Sequence, residues 1–412
     1  MAEFLELLPP QNAIEKLMSY LDEVALKNET IKTEDGLQRV IAKDIIANEE
    51  IPAFTRSTVD GFAVNSRDTY GASEAIPAFF EIIGEIKMGK SADYHLKKGQ
   101  VCLIHTGGML PAGADAVIMV ENTQYSNLTE IEIYKAVSSG ENVVMKGEDI
   151  KEGDLVFSKG TTLRPVEIGA LMALGITEVP VYQIPHVGIV STGDELVQPN
   201  ENPKLGEVRD INTYTLSSIV KEMGGIPKNY PIVRDNEEKL FLALKKAHQE
   251  NDLVIATAGS SASVRDFTAK AIRKLGEPGV LVHGINVRPG KPTILAFADK
   301  KPIVGLPGNP VSAFVIAHMV LKSLLPKLRG ELSSRTKMIK GLVTINMSSM
   351  AGREDWFPIR FTGDYQNGIP LVEPIFYKSN LIFTLISANG LARIEPNRTG
   401  LDELSEVEIL LI

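Results

Sequence analysis

The chain has 412 residues, 44% of them hydrophobic and 23% charged, which is typical of soluble globular proteins large enough for two to four domains. Lysine and arginine total 43 against 52 acidic residues, a net charge of -9 without a sustained basic run, which argues against a nucleic-acid partner. A single cysteine excludes a disulfide within the chain, and six scattered histidines argue against a zinc enzyme.

No segment has the pattern of a signal peptide or a membrane span. The N-terminus, MAEFLELLPPQNAIEKL, lacks a basic region followed by an apolar core. The most apolar later run, PVSAFVIAHMVLKSLLP, is interrupted by His318 and Lys322. We therefore expect a cytoplasmic protein without a membrane partner. Cys102, inside the apolar run VCLIHTGG, is expected to be a buried small side chain and not a nucleophile.

The first third of the chain predicts two helices followed by strands. Apolar positions between 11 and 27 follow a helical period. The segment TEDGLQRVIAKDIIANEEIP predicts a second short amphipathic helix, with its apolar positions at Leu37, Val40, Ile41 and Ile45. From about 50 to 142, short apolar runs are separated by Gly, Pro, Asn and Asp, which predicts a β-rich domain.

The remainder predicts an α/β domain and a final β domain. From 184, strand-like runs alternate with helices, a pattern typical of a parallel sheet with helices on both faces. The expected fold class is thus α/β plus β, multidomain, with a β-rich insertion and a barrel-like C-terminal domain. The expected division is an N-terminal helix (1–29), a linker domain (30–49 and 143–182), a β-rich domain (50–142), the α/β domain (183–328) and the C-terminal β domain (329–412).

Acidic side chains follow several predicted strands of the α/β domain. Open α/β sheets bind ligands beyond the carboxyl ends of their strands, where this chain has Asp194, Glu195, Asp235, Asp266 and the turn LPGNP. If the strands adjoin, these acids converge, and converging carboxylates repel unless a hard cation such as magnesium lies among them. A magnesium ion could also bridge the acids to phosphate oxygens, which makes an acidic rim compatible with an anionic ligand.

Two further loops are candidates for binding anions. In LVIATAGSSASVRDF, the small residues 259–263 let backbone N–H groups approach a phosphate, and a helix expected from about Asp266 offers its positive end. The loop lacks the P-loop pattern, and a flexible turn with Asp266 capping the helix explains it equally well. In VRPGKP, Arg288 and Lys291 flank a stiff Pro-Gly turn. This arrangement is consistent with a binding site for a small oxyanion, and equally with a solvated basic turn that binds nothing.

Together these motifs resemble the molybdopterin molybdenumtransferases, a family that includes the C-terminal enzyme domain of gephyrin. The resemblance runs from about residue 30 to the end, and its six motifs occur in family order. They are STVDGFAV (57–64), HTGGMLPAGADAVIMVE (105–121), KGEDIKEGD (146–154), VSTGDEL (190–196), RPGKP (288–292) and LPGNPVSA (306–313), followed by the weaker SANGLARIEP (387–396).

The resemblance implies an L-shaped homodimer of four-domain subunits, with an active cleft at the α/β domain to which the partner subunit contributes residues. It implies insertion of molybdenum from molybdate into adenylylated molybdopterin, with release of AMP and use of Mg²⁺ or a similar divalent ion. The molybdopterin adenylyltransferase is a further candidate partner.

Matching the motifs position by position assigns candidate site residues. The expected catalytic residues are Asp60, Asp149, Glu195, Asp235 and Asp266, of which the last four are the expected metal ligands. The expected substrate- and oxyanion-binding residues are Thr106, Gly259, Ser260, Ser261, Arg288, Lys291, Pro307, Ser312 and Arg353.

The sequence departs from the family pattern at three places, which indicates a divergent branch. The loop GSSASV replaces the glycine-richer GGVSVG, Phe62 replaces a tyrosine, and Gly284 stands where a lysine is often found. Three alternatives stay open: a tungstate-specific insertase, a non-catalytic scaffold on the same fold, and a related enzyme that adenylylates molybdopterin with ATP. The extra domains argue against the last alternative.

Overall fold

The computed structural model describes residues 7–258, 262–332, 338–376 and 378–412, without the side chains of 258 and 262–266. Within these ranges the α-helices are α1 (Pro10–Leu21), α2 (Pro165–Ala173), α3 (Asn212–Glu222), α4 (Glu237–Glu250), α5 (Ala262–Arg273) and α6 (Pro310–Leu328).

A six-stranded sheet forms the centre of the α/β domain. Its strands, in spatial order, are Ile226–Asn229, His186–Ser191, Leu253–Ala258, Lys301–Pro307, Ile294–Ala298 and Pro278–His283. The first four are parallel, as the sequence predicts, but Ile294–Ala298 runs antiparallel to both of its neighbours, Lys301–Pro307 and Pro278–His283. A tight turn causes this difference, because Asp299 and Lys300 (φ 44 and 62) leave too short a connection for a parallel crossover.

Helices cover both faces of this sheet. Apolar side chains of α1, α3 and α6, including Leu17 and Leu216, share one buried cluster, while α4 and α5 pack on the other face through Leu244 and Ile272. Helix α6 is long and apolar enough to cross a membrane by composition, but 67% of its apolar window is buried in the fold. That burial is typical of the core helix of a globular domain.

The β-rich domain contains a second six-stranded sheet. Its strands, in spatial order, are Ala116–Met119, Gly61–Val64, Gln100–Ile104, Ala78–Ile86, Glu130–Ile133 and Thr123–Asn127. Phe62 is fully buried among apolar neighbours that include Ile118 and Ile131, so the site of the family's tyrosine lies in this core. Gly61 allows its strand to lie close to Ala116–Met119, because an added Cβ would lie 1.8 Å from the carbonyl oxygen of Ile118.

Antiparallel strand pairs and helix α2 link the β-rich and α/β domains. The pairs are Asn28–Lys32 with Glu178–Tyr182, Ile45–Ile46 with Leu155–Phe157, and Arg56–Ser57 with Val143–Val144. The predicted second helix is wrong. Its apolar residues are buried by strand-like pairing instead, since Val40 bridges Thr162 and Ile41 bridges Val181, while Leu37 is exposed. Tertiary pairing overrides the helical spacing there.

The C-terminal domain is a closed β-barrel, as expected. Five strands close it in the order Glu354–Gln366, Ile369–Pro374, Met338–Val343, Glu406–Leu411 and Gly390–Ile394, the last pairing with the first. The two-residue strand Val287–Arg288, which belongs in sequence to the α/β domain, pairs with Glu354–Asp355 of the barrel. Two-stranded pairs also join Leu196–Val197 with Val208–Arg209 and Met347–Ser348 with Gly400–Leu401.

Candidate active site

The carboxyl ends of the parallel strands bring four loops to one edge of the central sheet. Ser191 lies beside Thr257, and the residue after Thr257 lies beside Pro307. Ile294 pairs with Gly305, so the RPGKP turn that precedes Ile294 lies at the same edge. We call this the carboxyl edge. Neighbouring strands are about 4.8 Å apart, so the loops lie within reach of one small ligand.

The acidic loops meet at this edge. The hydroxyl of Thr192 donates to Asp235 Oδ1 at 3.2 Å, and the backbone N–H of Asp235 donates to Asp194 Oδ1 at 3.1 Å. Arg234 donates to the backbone carbonyl of Asp194. The Glu195 carboxylate folds over Gly193, where an added Cβ would lie 2.6 Å from Glu195 Oε2. The loops after two neighbouring strands are therefore tied together by their own carboxylates.

A buried hydroxyl network supports the edge from below. Ser191 Oγ lies 2.7 Å from Thr213 Oγ1 and 2.9 Å from Thr257 Oγ1. Thr213 also donates its hydroxyl to Asp210 Oδ2 at 2.6 Å. All four residues are buried, so this network fixes the strand ends that carry the acidic loops.

The Gly-Ser loop is only partly described. Gly259, Ser260 and Ser261 lie outside the described residues, as does the side chain of Asp266. Helix α5 begins at Ala262, so Asp266 is its fifth residue. The expectation that the helix starts at about Asp266 is wrong, because the backbone is already helical at Ala262, and the alternative in which Asp266 caps the helix is wrong for the same reason.

The RPGKP turn packs tightly against helix α6. Gly290 has φ 110, and an added Cβ would lie 2.3 Å from Ile316 Cγ1, so only glycine fits this approach. The hydroxyl of Thr293 closes the turn by donating to the carbonyl of Gly290 at 2.7 Å. Arg288 and Lys291 extend from the turn as exposed side chains. The turn therefore holds the backbone of two cationic residues in a fixed position.

Arg288 and Arg353 meet at one carboxylate. Arg353 donates from Nε and Nη2 to the two oxygens of Asp355, at 2.6 and 3.1 Å. Arg288 Nη1 lies 3.9 Å from Asp355 Oδ2, which also accepts from the hydroxyl of Ser349 at 3.0 Å. Two of the predicted oxyanion-binding residues, one from the α/β domain and one from the barrel, are thus held by the same buried acid.

Pro307 and Ser312 lie on either side of the turn into α6. Pro307 ends its strand at the carboxyl edge, and Ser312 is buried in the first turn of α6. The barrel domain contacts the same turn through Ser379. The backbone N–H of Val311 donates to the carbonyl of Ser379 at 3.0 Å, and Asn309 Nδ2 donates to the hydroxyl of Ser379 at 3.1 Å. The carboxyl edge is therefore bordered by the barrel on this side.

Asp60 and Thr106 form a separate group in the β-rich domain. The backbone N–H of Thr106 donates to Asp60 Oδ1 at 2.8 Å, and its hydroxyl lies 3.3 Å from the same oxygen. The backbone hydrogen bond is the largest cause that lowers the pKa of Asp60. His105 Nδ1 lies 3.7 Å from Asp60 Oδ1, and His105 Nε2 lies 3.0 Å from Glu85 Oε1. These described contacts all stay inside the β-rich domain.

Asp149 lies in the turn that leads out of the β-rich domain. Its backbone N–H donates to the carbonyl of Ile51 at 3.0 Å, and its side chain is exposed. Among the described side chains, no three His, Cys, Asp or Glu residues are grouped as a ready metal site. The four expected metal ligands therefore form no closed set within the described part of one chain.

Two other residues singled out in the sequence have structural roles. Cys102 is fully buried, and that burial raises the pKa of its thiol to about 11, so the thiolate needed for a nucleophile is disfavoured. The backbone N–H of Gly284 donates to the carbonyl of Thr293 at 2.8 Å, which adds a backbone support below the RPGKP turn.

The structure adds residues that the sequence reading missed. They are Thr192 beside Asp235, Asp355 beside the two arginines, and His105 with Glu85 beside Asp60. His105 had a detectable signal, since it directly precedes Thr106 in the HTGG motif. Asp355 had a weaker one, because it is two residues from Arg353, but its contact with Arg288 depends on strand pairing between domains.

Three family models match successive parts of the chain. The MoeA N-terminal region (domain I and II) matches residues 8–175, a probable molybdopterin binding domain matches 188–327, and the MoeA C-terminal region (domain IV) matches 340–412. The matches follow the same order as the β-rich, α/β and barrel parts of the fold.

Full-length relatives and solved structures agree with these models. The chain is 36% identical to a protein of Methanocaldococcus jannaschii named for molybdopterin biosynthesis, over 97% of this chain and 95% of that one. It is 31% identical to a molybdopterin molybdenumtransferase of Staphylococcus epidermidis, over 97% and 94%. A crystal structure of a molybdopterin biosynthesis MoeA protein from Pyrococcus horikoshii superposes with a TM-score of 0.84 at 35% identity, covering 98% and 99% of the two chains. The chain therefore belongs to the molybdopterin molybdenumtransferase (MoeA) family.

Proposed function

We propose that this protein transfers molybdenum from molybdate to adenylylated molybdopterin and releases AMP, as a step of molybdenum cofactor biosynthesis. One observation carries the proposal: the acidic loops of Asp194 and Asp235 and the cationic RPGKP turn lie at the same carboxyl edge. An oxyanion needs the cations, while a phosphoanhydride is usually handled through a metal ion bound to carboxylates.

Arg288 and Lys291 are proposed to hold the oxyanion. Both extend from a turn whose backbone is fixed by Gly290 and Thr293, so little backbone conformational entropy is lost when an anion binds. Arg353, Pro307 and Ser312 are weaker candidates for the same anion. Arg353 is engaged with Asp355, which leaves Nη1 as its nitrogen without a hydrogen bond to that carboxylate.

Asp235, Glu195, Asp266 and Asp149 are proposed as the acids that serve a Mg²⁺ ion. Magnesium usually takes one or two carboxylates together with substrate phosphate oxygens, so a closed protein cage is not needed and the described acids of the carboxyl edge fit this ion. When bound, the ion would polarise the phosphoanhydride and offset its charge. Thr192 and the backbone of Asp235 hold the neighbouring carboxylates in place.

AMP release then requires little general base chemistry if the nucleophile is already an anion. A molybdate oxygen or a water attacks the adenylyl phosphorus, the phosphoanhydride bond breaks, and the phosphate of molybdopterin is the leaving group. Attack by water gives AMP directly, whereas attack by molybdate gives an adenylyl–molybdate anhydride that water then cleaves to AMP and molybdate. The dithiolene sulfurs of molybdopterin replace oxygens of the molybdate, which leave as water. The Gly-Ser loop, with Gly259, Ser260 and Ser261, is proposed to hold the substrate phosphates. The protein is proposed to act in the cytoplasm.

A homodimer is proposed to complete the site. The Asp60–Thr106 pair keeps its described hydrogen bonds inside the β-rich domain of its own chain. A second copy could present this pair to the carboxyl edge of the first, as the family resemblance implies. Two-fold symmetry would then form two equal sites from two chains. The molybdopterin adenylyltransferase is proposed as the source of the substrate.

The test is transfer of the metal itself. Purified protein is incubated with adenylylated molybdopterin, Mg²⁺ and molybdate, and molybdenum that co-purifies with the small pterin product is quantified by mass spectrometry. The proposal predicts one molybdenum per AMP released. AMP release without metal in the product would reduce the activity to that of a hydrolase.

A further inference from the structure

His105 stands between two carboxylates of the β-rich domain. Its Nδ1 lies 3.7 Å from Asp60 Oδ1, and its Nε2 lies 3.0 Å from Glu85 Oε1. The three side chains come from different strand ends, and they are 42%, 64% and 50% exposed respectively, so packing does not explain the arrangement. Thr106 donates its backbone N–H to the same oxygen of Asp60 at 2.8 Å.

This geometry places both ring nitrogens of His105 near carboxylate oxygens. A neutral imidazole donates from one nitrogen and presents a lone pair at the other, which would face a carboxylate oxygen unfavourably. The protonated ring has an N–H at both nitrogens, so it can donate to Glu85 through Nε2 while Nδ1 makes a longer electrostatic contact with Asp60. Exposed ion pairs contribute little to stability. The consequence of this arrangement is therefore expected in ligand binding and not in folding.

We propose that His105 is a positioning residue for the reaction, an inference that rests on the proposed function and on the role of Asp60 in it. When protonated, its ring offsets the charge of Glu85 and Asp60, so that Asp60 can approach a polyanionic substrate without a second uncompensated carboxylate beside it. Without His105, the two carboxylates face the substrate as a locally negative surface, which weakens binding of an anion.

The test compares three variants in steady-state AMP release with wild-type protein, Mg²⁺ and molybdate. They are His105→Gln, which is neutral, His105→Arg, which keeps a cation, and His105→Gln combined with Glu85→Gln, which removes the charge that His105 offsets. His95→Gln is the matched control, since His95 is an exposed histidine in the same domain. Thermal midpoints are recorded for each variant to show that the fold is retained.

The expected result is that His105→Gln raises KM for adenylylated molybdopterin about tenfold while kcat changes less than about threefold. His105→Arg and the double variant recover most of that loss, which a packing role would not allow. The inference is overturned if His105→Gln has the KM of the wild type, or if adding Glu85→Gln does not lower the raised KM. The proposed function is unaffected by either result as long as the wild type releases AMP. Absence of AMP release by the wild type overturns both.

Discussion

Arg288 Nη1 lies 3.9 Å from Asp355 Oδ2, although Arg288 lies between two strands of the α/β sheet and Asp355 belongs to the barrel. The same carboxylate accepts two hydrogen bonds from Arg353. Asp355 is buried, and Arg353 of its own domain compensates its charge, whereas the contact with Arg288 exists only while both domains stay docked. The position of Arg288 relative to Arg353 therefore depends on a contact between domains.

Asp355→Ala is predicted to lower both stability and oxyanion affinity. Removing one partner of a buried charge cluster costs about 3 kcal/mol in the free energy of unfolding, and it leaves Arg353 and Arg288 without their common support. Urea unfolding and molybdate titration calorimetry measure the two effects. Glu373→Ala is the control, because the Glu373–Arg360 pair is exposed and contributes less than about 1 kcal/mol. Unchanged molybdate affinity in Asp355→Ala would contradict this account.

Gly290→Ala is predicted to disrupt the cationic turn. The added Cβ would meet Ile316 Cγ1 at 2.3 Å on a backbone with φ 110, at a cost of about 2–4 kcal/mol, and would displace Arg288 and Lys291. Gly169→Ala is the matched control, since Gly169 lies inside α2 with nothing near its Cβ and alanine there should stabilise by about 0.5–1 kcal/mol. Thermal unfolding and molybdate binding are the measurements. Equal molybdate affinity in the two variants would argue against the RPGKP turn as the oxyanion-binding site.

Mixing two inactive variants tests whether the site is shared between subunits. Asp60→Asn and Asp235→Asn are each predicted to release AMP at least about a hundredfold more slowly than wild type. If Asp60 of one chain serves the carboxyl edge of the other, random exchange gives hybrids with one intact site and about a quarter of wild-type activity. If one chain supplies both residues, the mixture stays inactive. The assay is AMP release after denaturation and refolding of the mixed chains, with each variant refolded alone as control.

Buried histidines predict the acid side of the stability profile. Burial lowers the pKa of His248 and of His318 below the ordinary value of 6.5. The unfolded chain therefore takes up protons that the folded chain refuses, and the stability held above pH 6.5 is lost as pH falls through the lowered folded pKa values. Urea unfolding at pH 7.5 and 5.5 measures this loss.

His248→Gln is predicted to reduce that pH dependence, since glutamine can still donate to the carbonyl of Ala298, which lies 2.9 Å from His248 Nε2. His186→Gln at an exposed position should leave the pH dependence unchanged. An identical pH dependence in wild type and His248→Gln would show that His248 does not contribute.

The sequence predicted the acidic loops because they follow strand-like runs, and the position of a loop after a strand is a local pattern. Another local pattern, the helical spacing of apolar residues, gave a wrong prediction at Ile41, because Ile41 pairs with Val181 in a distant segment. The contact between Arg288 and Asp355 could not be predicted, since it depends on the pairing of Val287–Arg288 with a barrel strand. The loops that carry the acidic residues could therefore be predicted from the sequence, whereas contacts that depend on pairing between distant strands could not.

The most direct test of the account is AMP release from adenylylated molybdopterin with Mg²⁺, measured without oxyanion and with molybdate or tungstate in separate reactions. The account predicts release that depends on molybdate, and it predicts that Asp235→Asn abolishes it while Asp252→Asn, at the opposite edge of the sheet, does not. Release that depends on tungstate alone would assign the protein to tungsten. No release with either oxyanion, from folded wild-type protein, would contradict the proposed reaction.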